Sequence, residues 1–333
     1  MDIDFVVLWV DGNDPAWRQE KAKYQGKTLD DSNSNNRFRD WGLMPYWFRA
    51  VEKFTPWVRK VHFVTCGHVP PFLNLQAPKL HHVSHSDYIP AEYLPTFSAN
   101  TIEMNIHRIQ GLSNHFVFFN DDTFILRPMP ETSFFRDGLP CTVGSEVPAT
   151  FLGQPGIWQH LIVNDLRTIN NHFKKTEQVR QYRKKFRSRN YRWKDNIRTC
   201  ILEKLYPEAF VGFQNLHAPA PFLKSTFETI WEKEPALLEE TSSHRFRNND
   251  DLNQWVALWW QVAAGTFSPF QTDNIVAGCT EQNVDWFCNL IRGQGHDMLC
   301  VNDPGGEISF ELVCSKIRDA FDSILPQKSS FEK

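Results

Sequence analysis

The sequence predicts an α/β protein built on a mostly parallel β-sheet, and three observations support this prediction. In the first 140 residues, short apolar runs alternate with stretches that carry apolar residues at helical spacing. The run at residues 116–119, Phe-Val-Phe-Phe, contains no polar residue, which is typical of a strand buried on both faces of a parallel sheet. The later part of the chain is mainly helical in pattern. Alternating strands and helices predict a sheet with helices packed on its faces.

The first part of the chain predicts its elements in a clear order. The apolar run IDFVVLWV at residues 3–10 predicts a first strand, which ends at the turn sequence DGNDP. Residues 41–54 have apolar side chains at helical spacing before Pro56, so a helix is predicted there. Further strands are predicted at residues 61–65, 79–85 and 116–119.

A helix is also predicted between the third and fourth of these strands. Asn100 is a plausible N-cap, Glu103 follows three residues later as in a capping box, and Gly111 suits the C-terminal end. Helical spacing predicts one buried stripe and places three polar residues on another face. The stripe is Ile102, Ile106 and Ile109, and the polar residues are Asn100, Glu103 and His107.

The second part predicts helices and one more strand. The strand, in DMLCVNDPGG at residues 297–306, ends in Asn302-Asp303. The last helix, about residues 308–325, places Phe310, Val313, Ile317, Phe321 and Ile324 on one face and ends at Pro326. Other helices are predicted in HLIVNDLRTINNHF, the basic region that follows it, LKSTFETIWEKEPALLEE and LNQWVALWWQVA.

Composition excludes several classes of protein. The chain is 41% hydrophobic and 14% aromatic, which is enough to bury a substantial core and argues against disorder. It has no apolar run near 18 residues and no basic leader, so neither a membrane span nor a signal peptide is expected. Its seven cysteines are scattered without CxxC pairs, which favours free thiols in a reducing compartment over a zinc site. A soluble, cytoplasmic protein is therefore expected.

Charge is distributed unevenly along the chain. Residues 174–198, here called the basic segment, carry eleven Lys and Arg and two acidic residues, a local charge of +9 in a chain of net charge −3. A solvated surface explains such a run, and so does binding to an anionic membrane surface, nucleic acid or another polyanion. Interleaved aromatic residues raise the weight of the binding alternatives; these are Tyr182, Phe186, Tyr191 and Trp193.

Three acidic turns each follow an apolar strand. They are Asp11-Gly12-Asn13-Asp14, Asn120-Asp121-Asp122 and Asn302-Asp303. If the three strands are parallel neighbours, the turns meet at one edge of the sheet, where ligands bind in open α/β sheets. Such an oxygen-rich site suits Mg²⁺ or Mn²⁺, and a polar turn between strands is the plain alternative. The sequence has no GxGxxG and no GxxxxGK[ST], which argues against dinucleotide oxidoreductases and P-loop NTPases.

Cationic residues near these turns are candidates for binding a diphosphate. Arginine can clamp phosphate oxygens bidentately, although for each one taken singly a surface ion pair is the favoured interpretation. His217, in the proline-flanked sequence NLHAPAP, fits either a positioned general base or a structural histidine, and Arg247 is equally ambiguous. The arginines concerned are Arg37, Arg39, Arg49 and Arg108.

Long stretches of the chain resemble the Stealth family of sugar-phosphate transferases. IDFVVLWVDGNDPAW resembles the first conserved region, and RFRDWGLMPYWFRAVEKFTPWVRKVHFVT through LPTFSANTIEMNIHRIQGLSNHFVFFNDDTFILRP resembles the second. NLHAPAPFLKSTFETIW with HRFRNNDDLNQW is similar to the third, and CVNDPGGEISFELVCSKIRDAFDSILPQKSSFE to the fourth. The family includes bacterial capsule and cell-wall polysaccharide phosphotransferases and the catalytic subunit of the lysosomal-enzyme N-acetylglucosamine phosphotransferase.

This resemblance implies a reaction and a set of site residues. A UDP-sugar, with a hexose or N-acetylhexosamine, would give its sugar 1-phosphate to a glycan hydroxyl, releasing UMP and forming a phosphodiester in a bacterial surface polysaccharide. The family's catalytic positions fall on Asp122, His217 and Arg247, where Asp122 either holds a metal or positions the nucleophile. The expected metal ligands for Mg²⁺ or Mn²⁺ are Asp121, Asp122, Asn302 and Asp303. The expected donor-binding residues are Trp9, Asp11, Gly12, Arg37, Asp40, Arg49, Asn100, Glu103, His107 and Arg108.

The resemblance also implies an organisation and partners. The expected fold is a Rossmann-like, glycosyltransferase-A-like sheet flanked by helices, with residues 1–140 and 205–325 forming the catalytic domain. Residues 141–204 would form a variable, basic, mainly helical insert. The expected acceptor is a glycan, free or lipid-linked, with the basic segment available for peripheral binding to the inner membrane surface and no nucleic-acid partner. Two alternatives stay open: a metal-dependent glycosyltransferase that releases UDP, and a non-enzymatic polyanion-binding module.

Overall fold

The computed structural model describes residues 1–25, 38–150, 155–214, 217–303 and 309–333 of the 333-residue chain. Within these residues the strands are β1 (Ile3–Leu8), β2 (Val61–Thr65), β3 (Leu80–Ser84), β4 (His115–Phe119), β5 (Thr123–Ile125), β6 (Phe135–Arg136), β7 (Leu139–Thr142), β8 (Ala220–Leu223), β9 (Ser268–Pro269), β10 (Asn274–Gly278) and β11 (Met298–Asn302). The helices are α1 (Pro15–Tyr24), α2 (Met44–Phe54), α3 (Ala99–Met104), α4 (Ile157–His172), α5 (Lys175–Phe186), α6 (Trp193–Leu205), α7 (Lys224–Lys233), α8 (Pro235–Ser243), α9 (Gln254–Ala263), α10 (Val284–Gly293) and α11 (Phe310–Ile324).

A five-stranded sheet forms the centre of the protein, in the order β3-β2-β1-β4-β8. Its first four strands are parallel, and β8 pairs antiparallel with β4. The register places Val6 of β1 beside His62 of β2 and Phe118 of β4. The predicted α/β class with a mostly parallel sheet is therefore confirmed.

Strand β4 is buried on both faces, as its apolar sequence predicts. Val117 and Phe119 belong to one hydrophobic core, which includes Trp47 of α2. Phe116 and Phe118 belong to a second core on the opposite face of the sheet, together with Phe222 of β8. Side chains alternate between the two faces of a strand, so β4 contributes to both cores and its carboxyl end is held firmly.

A second sheet has the strand order β10-β11-β5. Strand β5 begins directly after the Asn120–Asp122 turn and pairs antiparallel with β11. The condition that all three acidic turns follow parallel neighbours in one sheet is not met. Of the three strands that precede the acidic turns, only β1 and β4 are parallel neighbours. The third, β11, belongs to the second sheet, and the Asn302-Asp303 turn follows it there. Strands β6, β7 and β9 form a third, small sheet.

The helix predicted from Asn100 to Gly111 is shorter in the structure. Helix α3 ends at Met104 and is followed by a 3₁₀ turn at Ile106–Arg108. Its N-cap is Ser98, so the predicted capping box at Asn100 and Glu103 is wrong. Those two side chains are engaged in contacts with the loop before α9 and with the start of that helix, which compete with local capping.

Other elements differ in their bounds. The apolar pattern at 223–240 predicts one helix, whereas the structure has α7 and α8, with Pro235 beginning the second. Helices α4, α5 and α6 lie between residues 157 and 205, and the proposed division into a catalytic domain and an insert stays a prediction. Across the described ranges, no helix combines the length and the apolar character that a membrane crossing requires.

Candidate active site

A cleft of about 690 Å³ lies at the carboxyl ends of β1, β2, β4 and β11. This is where an open α/β sheet commonly binds its ligands. Ten of the predicted catalytic, donor-binding and metal-binding residues line it, from both sheets, from α3 and from three loops. They are Trp9, Asp40, Asn100, Glu103, Asp121, Asp122, His217, Arg247, Asn302 and Asp303.

The Asn120–Asp122 turn is fixed between the two sheets. The backbone N–H of Val301 donates to the carbonyl oxygen of Asp122 at 2.8 Å. The Asp122 carboxylate accepts from the Cys300 thiol at 3.3 Å and from the Thr123 hydroxyl at 3.1 Å. Because β4 sets one end of the turn and β11 the other, the position of this carboxylate depends on both sheets.

Carboxylates gather on the floor of the cleft. Solvent reaches Asp121 through the cleft opening, but the surrounding walls desolvate its carboxyl group. This desolvation, with the negative charges of Asp122 and Asp40, raises the pKa of Asp121 to about 7. Desolvation and the charge of Asp11 likewise raise the pKa of Asp40, against the effect of a hydrogen bond from the Gly42 N–H at 2.8 Å. A cluster of like charges of this kind is suited to a bound cation.

His217 lies beside Asp122 although the two are far apart in sequence. A ring nitrogen of His217, a carboxylate oxygen of Asp122 and the sulfur of Cys300 all lie within 4.8 Å of one another. The backbone of His217 has a φ of 41°, in the left-handed region that non-glycine residues seldom adopt. Its ring also lies 6.3 Å from that of Trp158, edge to face. The backbone conformation thus aims this imidazole at the acidic turn.

The donor atoms fit a hard cation better than a soft one. Burial and the charge of Asp122 raise the pKa of the Cys300 thiol far above its ordinary value, so the sulfur stays protonated and donates to Asp122. The oxygen atoms of Asp121, Asp122 and Asn302 are the ligands that Mg²⁺ and Mn²⁺ prefer. These residues could therefore hold such an ion on the cleft floor.

Asp303 already has a partner within the cleft. The guanidinium of Arg39 donates to both of its carboxylate oxygens, at 2.9 and 2.6 Å. Arg39 also lies over the ring of Phe310 at 4.8 Å and itself lines the cleft. The pairing neutralises Asp303 and keeps the guanidinium at the edge of the site, where it can reach a phosphate oxygen.

One wall of the cleft carries Glu103 and Arg247. Glu103 is 7% exposed and accepts from the backbone N–H of Gln254 at 3.2 Å. Desolvation raises the pKa of Glu103 to about 7, and this hydrogen bond and the charge of Arg247 oppose the rise. Arg247 is thus close enough to Glu103 for their charges to interact.

A buried network orders the loop that carries Arg247. Asp251 accepts from the Asn100 side-chain amide at 2.7 Å and from the backbone N–H of Asn248 at 2.9 Å. Its other oxygen lies 2.6 Å from Nδ1 of His244. Asn100 therefore acts at the site through Asp251, by holding the loop of residues 244–251 in place.

Arg49 lies outside the cleft, contrary to its predicted place near the donor. Its guanidinium binds both oxygens of Glu332, at 2.9 and 2.8 Å, and donates to the carbonyl oxygen of Leu325. The spacing of Arg49 in α2 gave no indication of this partner near the C-terminus. Its side chain fastens the final residues to α2.

Four further residues predicted to bind the donor do not line the cleft. His107 packs against Phe227 and Trp231, and desolvation lowers its pKa to about 4. Arg108 lies over the Trp231 ring at 4.5 Å. A Cβ at Gly12 would lie 1.8 Å from the carbonyl oxygen of Phe38, so this glycine permits a close backbone approach. The fourth, Asp11, accepts from the N–H of Asn13 and contributes charge near Asp40. Arg37 lies outside the described residues.

The structure adds residues that sequence reasoning left out. Trp158 of α4 is 42% exposed at the cleft and packs against Trp255, with ring centroids 3.9 Å apart. Cys300 lies within an ordinary apolar strand, and no local pattern marks its contact with Asp122. Trp158 carries no sequence signal beyond its aromatic side chain.

Comparisons with known proteins identify the family. The chain matches Stealth protein conserved region 1 at residues 1–28, conserved region 2 at 37–141 and conserved region 3 at 216–258. It is 41% identical to the receptor polysaccharide phosphotransferase WefC of Streptococcus gordonii, over 99% of this chain and 98% of that protein. It is 37% identical to the capsular polysaccharide phosphotransferase WcwK of Streptococcus pneumoniae, over 99% and 98% of the two chains.

Of two further comparisons, only the first supports the family assignment. The exopolysaccharide phosphotransferase cps2G of Lactiplantibacillus plantarum is 37% identical over 100% of this chain and 96% of its own length. A crystal structure of mouse xyloside xylosyltransferase 1 aligns with 91% of this chain and 98% of its own, at a TM-score of 0.36 and 13% identity. That structural similarity is too weak to define the fold, whereas full-length relatives and three matched regions establish that this chain belongs to the Stealth protein family.

Proposed function

We propose that this protein transfers a sugar 1-phosphate from a UDP-sugar to a hydroxyl group of a glycan, releasing UMP. The observation that carries the proposal is the meeting of Asp122 and His217 in a cleft that Arg247 also lines. The naming of its relatives as polysaccharide phosphotransferases supports a transferase that acts in polysaccharide synthesis. The donor, the leaving nucleotide and the acceptor are the proposed part.

The proposed chemistry is an in-line displacement at the β-phosphorus. The acceptor oxygen forms a bond to this phosphorus while the bond to the oxygen that bridges the two phosphates breaks. UMP leaves with that bridging oxygen, and the sugar 1-phosphate becomes a phosphodiester. In such reactions, positioning and neutralisation of charge supply most of the catalysis.

His217 is assigned to the proton of the acceptor hydroxyl. Its imidazole is held beside the acidic turn by an unusual backbone conformation, and Asp122 lies within reach of it. A neighbouring carboxylate favours the imidazolium that forms when the proton is transferred. Asp122 is therefore assigned to His217 or to the metal, while the Cys300 thiol and the Thr123 hydroxyl hold its carboxylate in place.

The cations of the cleft are assigned to the diphosphate. Arg247 on one wall and Arg39 on the other provide guanidinium groups for phosphoryl oxygens. When bound, Mg²⁺ or Mn²⁺ would neutralise charge on the diphosphate through Asp121, Asp122 and Asn302. Trp158, exposed beside His217, offers an aromatic surface on the side where the acceptor would enter.

Product analysis tests the proposal. The protein is incubated with a panel of UDP-sugars, Mg²⁺ or Mn²⁺ and glycan acceptors from bacterial polysaccharides, and the nucleotides are separated by chromatography. We expect UMP, together with a phosphodiester signal in the glycan by phosphorus NMR. If the nucleotide is UDP and the glycan contains no new phosphorus, the protein is a glycosyltransferase and the proposal is wrong.

A further inference from the structure

Helix α6 has its polar and apolar faces reversed relative to an ordinary surface helix. Its exposed side chains include Trp193 (67%), Ile197 (51%), Ile201 (51%) and Leu205 (65%). A helix on a protein surface normally turns such residues towards the core. These four residues, here called the α6 stripe, follow one another at intervals of four along the helix. At about 100° per residue, they cover an arc of about 120°.

The inward face of α6 is correspondingly polar. Asp195, Thr199 and Leu202 are its buried residues. The Thr199 hydroxyl accepts from the backbone N–H of Glu146 at 3.1 Å, and Arg198 donates to the Glu146 carbonyl oxygen at 2.7 Å. The orientation of α6 is therefore fixed by hydrogen bonds, and the α6 stripe faces outward as a consequence of specific contacts.

Exposed basic residues accompany the α6 stripe. Lys194 and Lys204 project from the same arc of the helix, and Arg189 and Arg192 are exposed just before its first turn. The acidic residues of the helix do not offset them on this face. Asp195 is buried and lies 2.9 Å from Arg198, and Glu203 pairs with Arg187.

We propose that α6 is a membrane-docking helix that lies flat on an anionic lipid bilayer. Its 13 residues extend about 20 Å, less than the thickness of a bilayer core. The α6 stripe would enter the boundary between headgroups and acyl chains, with Trp193 at the level that tryptophan favours. The surrounding Lys and Arg would remain among the anionic headgroups.

Charge favours lipid over a second copy of the chain. A two-fold symmetric contact through the α6 stripe would bring Lys194, Lys204 and Arg192 of both copies together, and like charges would oppose it. An anionic surface attracts the same residues. The inference concerns a surface distinct from the cleft and is independent of the proposed reaction.

Vesicle sedimentation tests this inference with the full chain. Vesicles of phosphatidylcholine alone are compared with vesicles that contain phosphatidylglycerol, an anionic lipid. We expect binding to the anionic vesicles that is weakened by salt. Each of the exposed basic residues beside the α6 stripe should contribute roughly fivefold to the affinity. Replacement of the α6 stripe by serine (Trp193→Ser, Ile197→Ser, Ile201→Ser, Leu205→Ser) should weaken binding by about tenfold or more.

Control variants distinguish insertion of the α6 stripe from nonspecific hydrophobic adsorption and from misfolding. Trp286→Ser with Leu312→Ser removes exposed apolar side chains from α10 and α11 and should leave vesicle binding unchanged. Trp193→Ser alone is a milder variant, and circular dichroism checks that each protein is folded. The inference is overturned if the folded serine variant binds like the wild type. It is equally overturned if neither protein binds vesicles and light scattering shows that the wild type is a dimer and the serine variant a monomer.

Discussion

The acidic cleft and the basic segment are opposite not only in charge but in how that charge arises. In the cleft, carboxylates from distant parts of the chain converge, so that the charges of Asp122 and Asp40 help to raise the pKa of Asp121. In the basic segment, cationic residues that are close in sequence lie in different environments. Lys175 is fully buried against Glu146, and Lys185 donates to the carbonyl oxygens of Gly265 and Phe267 at 2.6 and 2.7 Å.

This difference shows that a charge run in sequence is a poor measure of a charged surface. Folding assigns part of the +9 of the basic segment to internal contacts, and of the residues that stay exposed, Arg189, Arg192 and Lys194 accompany the α6 stripe. The cleft gains its charge from short acidic turns that lie far apart in sequence and meet only in the fold. The following predictions test that contrast.

The largest effect is expected from neutralising the acidic turn. Asp122→Asn keeps the size of the side chain but removes the charge that lies beside His217 and that would face the proposed cation. We expect turnover to fall on the order of 10³–10⁴-fold, with a higher Mg²⁺ concentration needed for half-maximal rate. Initial rates over a Mg²⁺ titration measure both quantities. Asp137→Asn is the control, because Asp137 is exposed at a φ of 51° that asparagine tolerates. Normal turnover by Asp122→Asn would exclude this residue from the site's chemistry.

The next effect concerns His217. Loss of a general base usually costs about 10²–10⁴-fold in rate, and this loss is expected for His217→Ala. His217→Asn is the sharper variant, since asparagine accepts the left-handed backbone and cannot accept the proton. Both should bind the donor nearly as well as the wild type, measured by calorimetry. Near-normal turnover by the asparagine variant would remove the assignment as base.

A third prediction compares buried and exposed lysines of the basic segment. Lys175→Met leaves Glu146 buried without its ammonium partner, which is expected to lower the free energy of unfolding by about 3–5 kcal/mol. Lys184→Met, at an exposed position, should change it by about 0.5 kcal/mol or less. Urea unfolding measures both. Burial raises the pKa of Glu146 and Lys175 opposes that rise, so the loss should become smaller as pH falls and the unpaired carboxyl takes up a proton. Equal effects of the two substitutions would contradict the contrast drawn above.

The smallest effect is expected at Glu103. A substitution there should raise the free energy of unfolding, whereas Lys175→Met lowers it. The pKa of Glu103 is raised to about 7 in the folded protein, so ionising it opposes folding. This cost grows as pH rises from the ordinary pKa of 4.5 towards 7 and is constant above. Glu103→Gln should therefore stabilise the protein by about 2–3 kcal/mol at pH 8 and by little at pH 4. Thermal unfolding across this range, with exposed Glu239→Gln as control, measures the effect. A less stable variant at pH 8 would show that the charge of Glu103 is well compensated.

Much of the fold follows from local sequence because burial on both faces leaves a plain signal. The bounds of β2 coincide with the prediction, and those of β1, β3 and β4 differ by only one or two residues at an end. The second sheet does not follow in this way. Strand β5 has three residues, too few for periodicity, and its partner β11 lies far along the chain. Without β5, nothing in the sequence reveals that Asn302-Asp303 approaches the cleft from another sheet.

The candidate site was predictable to a similar degree, and for a related reason. Polar residues at strand ends, such as Asp121 and Asp122, could be placed because the sheet fixes where strands end. Arg49 could not, since a guanidinium on a helix face reaches whichever carboxylate packs nearby, and Glu332 belongs to the last residues of the chain. The apparent capping pair, Asn100 and Glu103, illustrates the same limit: tertiary contacts took precedence over a local pattern.

The link between Asp122 and β11 has a consequence for the order in which the protein becomes active. Asp122 lies 178 residues before Cys300, which donates to its carboxylate. Contacts of such wide sequence separation form late, because the intervening chain must first be ordered or brought together. A nascent chain that has completed the five-stranded sheet still lacks one side of the Asn120–Asp122 turn. The proposed activity is thereby tied to the arrival of the C-terminal strands, and we expect a product truncated before residue 298 to be folded in part but inactive.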